Sequence, residues 1–480
     1  MEKIFLIVLL LLIQNSLSMS QWQSEVRLTN TNTYSANSAI SSSGNFVHVV
    51  WSDNRDGNNE IYSKRSSDEG SSWSADMRLT NNTFFSILPS VSASGSQVHV
   101  VWEDSRNGNP EIYYNRSDDN GTSWSADTRL TNNNNTSQNA HVSASGSNVN
   151  VIWRDTRSGT YELFYKSSTD GGTNWSADAQ LTNHTAGLVS SPSVSSNGSN
   201  VHMAWSDDRG DGNYDIYYKR STDVGNTWGA DARLTDGPDI SETPSISATS
   251  TDVHIVWLDL RNGSNEIYHK RSADNGITWG IDTRLTNGPL QSQTPSVFSI
   301  SSAVHIVWKY GFTNNEIYYV RSIDNGVNWE ASKQISNSII SAYSSGVTAS
   351  GTVVHVAWTD ARHGSSNHQI YYKRNPTGNP VGIQQISSEI PDQFLLSQNY
   401  PNPFNPVTAI NYSISENSFV TLKIYDVSGI EVATLVSENQ STGTYSYQFS
   451  SASYQLSSGV YFYRLQTSGY TDTKKMILTK

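Results

Sequence analysis

Seven tryptophans recur along this chain at nearly constant intervals: Trp51, Trp102, Trp153, Trp205, Trp257, Trp308 and Trp358, spaced 50 to 52 residues apart. The stretch Trp51–Thr80, WSDNRDGNNEIYSKRSSDEGSSWSADMRLT, returns as close copies at Trp102–Thr131, Trp153–Thr182, Trp205–Thr235 and Trp257–Thr286. A more divergent copy starts at Trp308 and a truncated one at Trp358. A period of this length marks units that cannot bury their apolar faces alone and must pack on their neighbours. Each copy holds four short β segments, in the second PSVSASG (Pro89–Gly95), VHVVW (Val98–Trp102), EIYYNRS (Glu111–Ser117) and TRLT (Thr128–Thr131). VHVVW is largely apolar on both faces, as in a strand sandwiched between two layers. Four antiparallel strands per unit, repeated radially, is the propeller pattern; a linear β-solenoid is the competing reading, but its rungs are shorter.

The ends of the repeat array point to closure. All 14 tryptophans belong to the repeat, and Trp22 stands alone before the first full unit, in QWQSEVRLT (Gln21–Thr29). The last unit, Ser341–Arg374, has three strands and then stops at KRNPTGNP. The N-terminal segment is therefore expected to supply the fourth strand of the last blade, which removes exposed sheet edges. The prediction is an all-β fold: a seven-bladed β-propeller over residues 21–375 closed by an N-terminal strand. A Pro/Gly/polar linker over 376–395 and a small Ig-like β-sandwich over 396–480 complete the chain.

Between the third and fourth segments lies a turn of pattern Ser-x-Asp-x-Gly-x-x-Trp. It occurs six times, with Asp68, Asp119, Asp170, Asp223, Asp274 and Asp324 as its aspartates. The carboxylate accepts backbone N–H bonds across the turn, glycine supplies a positive φ, and tryptophan folds back onto the hairpin. These six turns resemble the Asp-box, or bacterial neuraminidase repeat, of the sialidase superfamily, and the resemblance covers about residues 21–375. It implies that the boxes are structural and lie on the face opposite the active site. It also implies, for the enzymes, an arginine triad for the substrate carboxylate, a Tyr–Glu nucleophile pair and an acid/base Asp. The early Phe/Tyr-Arg-Ile-Pro motif that carries the first arginine does not occur here, so no catalytic residue is assigned.

Instead the chain repeats Trp-x-Asp-x-Arg after the second segment, at Asp53/Arg55, Asp104/Arg106, Asp155/Arg157, Asp207/Arg209, Asp259/Arg261 and Asp360/Arg362. Six equal copies read as Asp–Arg loop braces, because catalysis needs groups in unlike environments. His48, His99, His202, His254, His305 and His355 recur in the second segment, with Asn150 in the third blade, and read as buried hydrogen-bonding groups. The better ligand-binding candidates are departures from the pattern. Tyr310 and Phe312 replace Asp and Arg in the sixth blade, and Phe84, Phe85 and Tyr343 lie in or beside variable inter-blade loops. Aromatic rings there are suited to stacking on sugars.

Composition narrows the function classes. Net charge is −12 and no basic run tracks a phosphate backbone, which argues against a nucleic-acid partner. The chain has no cysteine, so disulfides and thiol chemistry are excluded. No metal or cofactor site is predicted. Lys3 followed by the apolar Ile4–Ile13 and a small polar stretch reads as a signal peptide over residues 1–20. No other apolar stretch is long enough to span a bilayer, so no transmembrane segment is expected in the mature chain.

The C-terminal segments YPNPFNP (Tyr400–Pro406), KIYDVSG (Lys423–Gly429) and GVYFYRL (Gly459–Leu465), with a lysine-containing end, occur in that order. Together they closely resemble the type A C-terminal sorting domain of the type IX secretion pathway of Bacteroidetes-related bacteria. The resemblance implies the type IX machinery as a partner, and a secreted or outer-cell-surface destination. Two function classes follow for the propeller: a non-catalytic module that binds an extracellular glycan or protein, or a glycoside hydrolase of exo-sialidase type. A structural surface-coat role is a third.

Overall fold

A computed structural model describes residues 22–184, 186–376, 383–387, 391–405, 407–440, 442–451 and 456–479. The expected signal peptide lies outside them. The chain forms two compact units, Met1–Pro376 and Thr377–Lys480. The described residues of the first unit form seven four-stranded antiparallel sheets. The first blade consists of Ser35–Ser43, Phe46–Asp53, Glu60–Ser66 and Met77–Arg78, in that order from the axis outward.

The innermost strands pack side by side, each against that of the next blade, and Ala342–Ser350 of the last packs against Ser35–Ser43 of the first. The N-terminal Val26–Arg27 pairs antiparallel with Gln369–Asn375, placing Val26 opposite Tyr372 and Arg27 opposite Tyr371. The last blade is thus completed by the start of the chain. Ser86, Ser137 and their equivalents begin each blade, and the second strand of each blade is sandwiched between neighbouring sheets. Val98, His99, Val100, Val101 and Trp102 are all fully buried.

The serine-rich first strand explains how a chain of modest aliphatic content holds together. Its hydroxyls reach across to the innermost strand of the adjacent blade. The Ala93 amide donates to Ser41 Oγ at 3.0 Å, that of Ala144 to Ser92 Oγ at 3.0 Å, and that of Ser196 to Ser143 Oγ at 2.9 Å. The same device spans the closure, where Ser42 and Thr348 hydroxyls lie 2.9 Å apart.

Blades are also stapled at their outer edges. The ring of Trp175, from one Ser-x-Asp-x-Gly-x-x-Trp turn, meets Tyr114 of the preceding blade edge-on at 4.9 Å. Trp228–Tyr165, Trp279–Tyr218 and Trp73–Tyr372 repeat the contact. The box glycine is required by that neighbour. Gly276 has φ +80°, and a Cβ there would lie 1.8 Å from the Tyr218 hydroxyl. Gly276→Ala is expected to cost about 1–2 kcal/mol for the left-handed backbone and about 1–3 kcal/mol more for overpacking. Gly263, at φ +77° with open space around it, is the control. In urea titrations Gly263→Ala should show only the backbone cost; equal losses at both sites would refute the packing argument.

The second unit is a two-sheet sandwich. One sheet orders Ile383–Ser387, Gly443–Ser450, Val407–Ile414 and Leu395–Leu396; the other orders Glu431–Gln440, Ser418–Tyr425, Gly459–Gln466 and Thr471–Leu478. Phe404, Ile410, Tyr412, Leu422, Ile424, Tyr463 and Leu465 share its core. The linker expectation for 376–395 needs correction, because Ile383–Ser387 is a strand antiparallel to Gly443–Ser450. Its polar composition resembles linker, but an edge strand is held by backbone hydrogen bonds that composition does not reveal.

Candidate functional site

Strand register separates the propeller into two ends. Asp104 lies opposite Ser86 and Glu111, whereas Val98 lies opposite Ser117. The second-to-third-strand turns and the inter-blade connections therefore share one end, and the Ser-x-Asp-x-Gly-x-x-Trp turns occupy the other.

At the box end the carboxylates close their own turns. Asp119 Oδ1 accepts from the Ser117 hydroxyl at 2.7 Å and the Ser123 amide at 2.8 Å, and Oδ2 accepts from the Ser123 hydroxyl at 2.7 Å. Asp68, Asp170, Asp223, Asp274 and Asp324 accept from the equivalent serine hydroxyl and backbone amide. The Asn174 amide and side chain hold Asp170 down at about 2. The Thr278 hydroxyl and amide do the same for Asp274. These carboxylates are ionised acceptors, unsuited to giving up a proton near neutral pH.

At the opposite end the six motif arginines are fully engaged. Arg106 donates to Asp104 through Nε at 2.8 Å and Nη2 at 2.6 Å, and its Nη1 lies 2.9 Å from Asp127. Its guanidinium also stacks 4.3 Å from the centroid of Tyr113. Asp104 further accepts from Trp102 Nε1 at 2.9 Å and Ser86 Oγ at 2.9 Å. Burial pushes this carboxyl up, but the bonds from Arg106 and Trp102 carry it below its ordinary value. Arg55, Arg157, Arg209, Arg261 and Arg362 each contact two carboxylates and stack on an aromatic ring in the same way.

A second buried series was not singled out in the sequence. Glu111, fully buried, accepts from the Thr131 hydroxyl, from Arg129 Nη2 at 2.9 Å and from the Asn133 amide at 3.0 Å. Glu60, Glu162, Asp215 and Glu266 likewise bond the threonine that ends each unit. Its signal was the invariance of the acidic residue before Ile/Leu-Tyr/Phe in those copies. The repeated histidines bond across to the third strand: His99 to Tyr114 at 2.8 Å, His202 to Tyr218 at 2.7 Å, His355 to Tyr372 at 2.7 Å and His254 to His269 at 3.1 Å. Where Asn150 replaces histidine, Tyr165 donates to its Oδ1 at 2.6 Å.

On the axis, the innermost strands surround a cavity of about 590 Å³. Each of these strands has a bulge with one residue in the left-handed region: Asn37, Leu88, Asn139, Ser191, Thr243, Thr294 and Ser344. Among the described residues the cavity is lined by Ser, Thr, Asn, Pro and small apolar side chains, with His141 but no Arg, Lys, Asp or Glu. No group of three or more His, Asp or Glu among the described residues is placed to hold a metal ion.

The five candidate aromatics fall in different sectors of the ring. Phe84 and Phe85 project at the junction of the first two blades, 50% and 56% exposed, and Phe312 projects from the sixth blade at 59%. Tyr310 does not form an open platform. It is half-buried, its ring meets Tyr318 at 4.9 Å, and a Cβ on Gly288 would lie 2.1 Å from its hydroxyl. The small glycine in the preceding connection admits the tyrosine that displaced the aspartate. Tyr343 instead lines a pocket of about 250 Å³ with Tyr34 and His368, where the first and last blades meet. The ring of His368 lies 4.5 Å from that of Tyr34 and 5.7 Å from that of Tyr343.

One asymmetric charged cluster sits at the unmarked position of Trp-x-Asp, which reads Ser52, Glu103, Arg154, Ser206, Leu258, Lys309 and Thr359 around the ring. Arg154 stacks 4.3 Å from the Tyr161 centroid and has no carboxylate within ion-pairing distance among the described residues. Glu103, buried beside it, accepts from the Asn139 amide at 2.6 Å; burial raises its pKa. The variability of this one position inside an otherwise constant motif was its sequence signal.

Residues 398–479 match the secretion system C-terminal sorting domain. The chain carries this sorting domain after the propeller. A polysaccharide lyase, a PL25 ulvan lyase, aligns at 12% identity over 71% of this chain and 92% of its own, with a TM-score of 0.50. A Hadza microbial sialidase aligns at 13% identity over 68% and 76%, with a TM-score of 0.44. A mutant Trypanosoma rangeli sialidase with trans-sialidase activity aligns at 10% identity over 95% and 88%, also at 0.44. Likenesses at these identities concern the fold alone. No curated protein matches the chain. No helix among the described residues is long and apolar enough to cross a membrane.

Proposed function

We propose that this chain is a non-catalytic glycan- or protein-binding propeller, exported by the type IX pathway to the surroundings or outer surface of a Bacteroidetes-related bacterium. The observation that carries the reading is the axial cavity, with no Arg, Lys, Asp or Glu among its described lining residues, together with motif arginines that are each committed to two carboxylates at the loop end. A carboxylate clamp needs arginines free to turn to the ligand, and glycoside hydrolysis needs two carboxyl groups flanking the bond. The test is to present the exported chain to a glycan array and to fluorogenic sialosides. Binding without turnover is the expected result, and sialoside turnover would overturn it.

A second reading, a glycoside hydrolase, draws on Glu103 and Arg154. A buried carboxyl with a raised pKa beside an arginine that has no ion pair among the described residues is the kind of setting that catalysis uses. On this reading Glu103→Gln abolishes turnover while leaving the thermal midpoint nearly unchanged.

A further inference from the structure

At the outer edge of each blade the acidic residue that opens the third strand faces the side chain that closes the fourth. Four blades make an ion pair there: Arg78–Glu60, Arg129–Glu111, Arg233–Asp215 and Arg284–Glu266. In the third blade Gln180 replaces the arginine, and His184 Nδ1 lies 3.4 Å from Glu162. The sixth and seventh blades each keep one half of the pair. The sixth keeps Glu316 but carries Gln334, whose side chain donates to the Ser336 carbonyl at 2.9 Å. Glu316 accepts from the Ser336 hydroxyl and the Ser338 amide, and has no cation within ion-pairing distance among the described residues. The seventh keeps Arg27, whose Nε donates to the Thr29 carbonyl at 2.8 Å, but carries Gln369, which accepts from the Thr29 hydroxyl at 2.9 Å. Arg27 has no carboxylate within ion-pairing distance among the described residues, and like Glu316 it is half-buried.

Between these two half-pairs runs the connection from the sixth blade to the seventh. Its Ser338 amide reaches Glu316 at 3.0 Å, and its Asn337 amide reaches Glu25, two residues from Arg27, at 2.8 Å. Ile339 and Ile340, which follow, are 76% and 39% exposed. The Asn315 side chain donates to Ser341 Oγ at 2.9 Å, which ties the turn bearing the exposed Phe312 to the same segment. The sector presents an apolar centre with a carboxylate on one side and a guanidinium on the other. Phe84 and Phe85 make another exposed apolar connection, but the ion pairs of the blades on either side of it, Arg78–Glu60 and Arg129–Glu111, are complete. A two-fold axis sets residue i of one copy against residue j of the other, and j against i. Two complementary half-pairs on one surface meet that condition. We infer that this sector docks a second copy of the chain, with Ile339 and Ile340 packed about the two-fold axis and Glu316 of each copy paired with Arg27 of the other. The isoleucines and Phe312 supply the apolar area, and the two ion pairs at the rim fix the register.

Sedimentation of the full chain tests it. A dimer at micromolar concentration is the expected state, and a monomer there would overturn the inference. Glu316→Arg and Arg27→Glu each set like charges against one another at both contacts, and each should weaken the dimer at least tenfold. Mixed in equal amounts, the two variants complement each other at both contacts, so a heterodimer of wild-type affinity should form. The chain carrying both substitutions should dimerise likewise. Reversals that weaken the dimer without recovery on mixing would overturn the pairing. Ile339→Lys, at an exposed side chain, should abolish the dimer and leave the thermal midpoint of the diluted monomer unchanged. It tests the surface even where Glu316→Arg fails to fold. A dimer that survives Ile339→Lys, or both charge reversals, would overturn the inference.

Discussion

Replacing Trp153 by alanine should destabilise the propeller by about 3–5 kcal/mol, the range for deleting a buried large aromatic side chain. Trp153 is fully buried, and it stacks on Phe164 with centroids 6.1 Å apart. Its indole also donates to Asp155 Oδ2 at 3.0 Å, so the variant takes a donor from a buried carboxylate that retains Arg157 and Ser137. The position packs between blades, with Val101, Ile112 and Tyr114 of the preceding one. A defect there loosens a contact on which ring closure depends. The midpoint of guanidinium unfolding checks this. Trp175→Ala, at a half-buried ring of the Ser-x-Asp-x-Gly-x-x-Trp turn, should cost less. Equal costs would mean that the seven lead tryptophans are not the main packing anchors.

Acid should unfold the propeller well above the pH at which its carboxylates protonate. Burial lowers His48, His99 and His202 to about 4 and His254 and His355 to about 3, with the nearby Arg65, Arg116, Arg220, Arg271 and Arg374 adding to the effect. An unfolded histidine titrates near 6.5. Between these values the unfolded chain binds protons that the folded chain refuses, so stability is full above about pH 6.5 and falls as pH drops towards 4. A tenfold difference in proton affinity between the two states is worth about 1.4 kcal/mol at each site, and the five sites act in the same direction. Thermal midpoints should therefore fall steeply between pH 7 and pH 5. His99→Asn copies the solution that the third blade uses at Asn150, and should flatten this dependence. An unchanged profile in His99→Asn would show that the histidines do not set it.

Much of the fold was legible because its determinants are local and repeated. The Ser-x-Asp-x-Gly-x-x-Trp turn is closed by residues within four positions of its aspartate. The Asp104–Arg106 brace spans two positions. The lone Trp22 segment signalled closure because a three-stranded last unit left an edge to cover. The strand Ile383–Ser387 escaped notice because its pairing is made by backbone groups, which polar composition disguises. Tyr310 entered as a ligand-binding candidate because sequence shows the lost aspartate but not Gly288, the neighbour that receives its hydroxyl.

The sequence by itself determined the number of units, their turns and the salt-bridged character of their loops, since each depends on contacts within a few residues or on a strict period. It also contained the export tail as an ordered set of short segments. Only the tertiary structure decided that the axial cavity has no Arg, Lys, Asp or Glu among its described lining residues, and that Tyr34, Tyr343, Thr359 and His368 line one pocket. Tyr34 belongs to the start of the array and the others to its end. Their meeting follows from closure of the ring, so neither local pattern nor periodicity marks it.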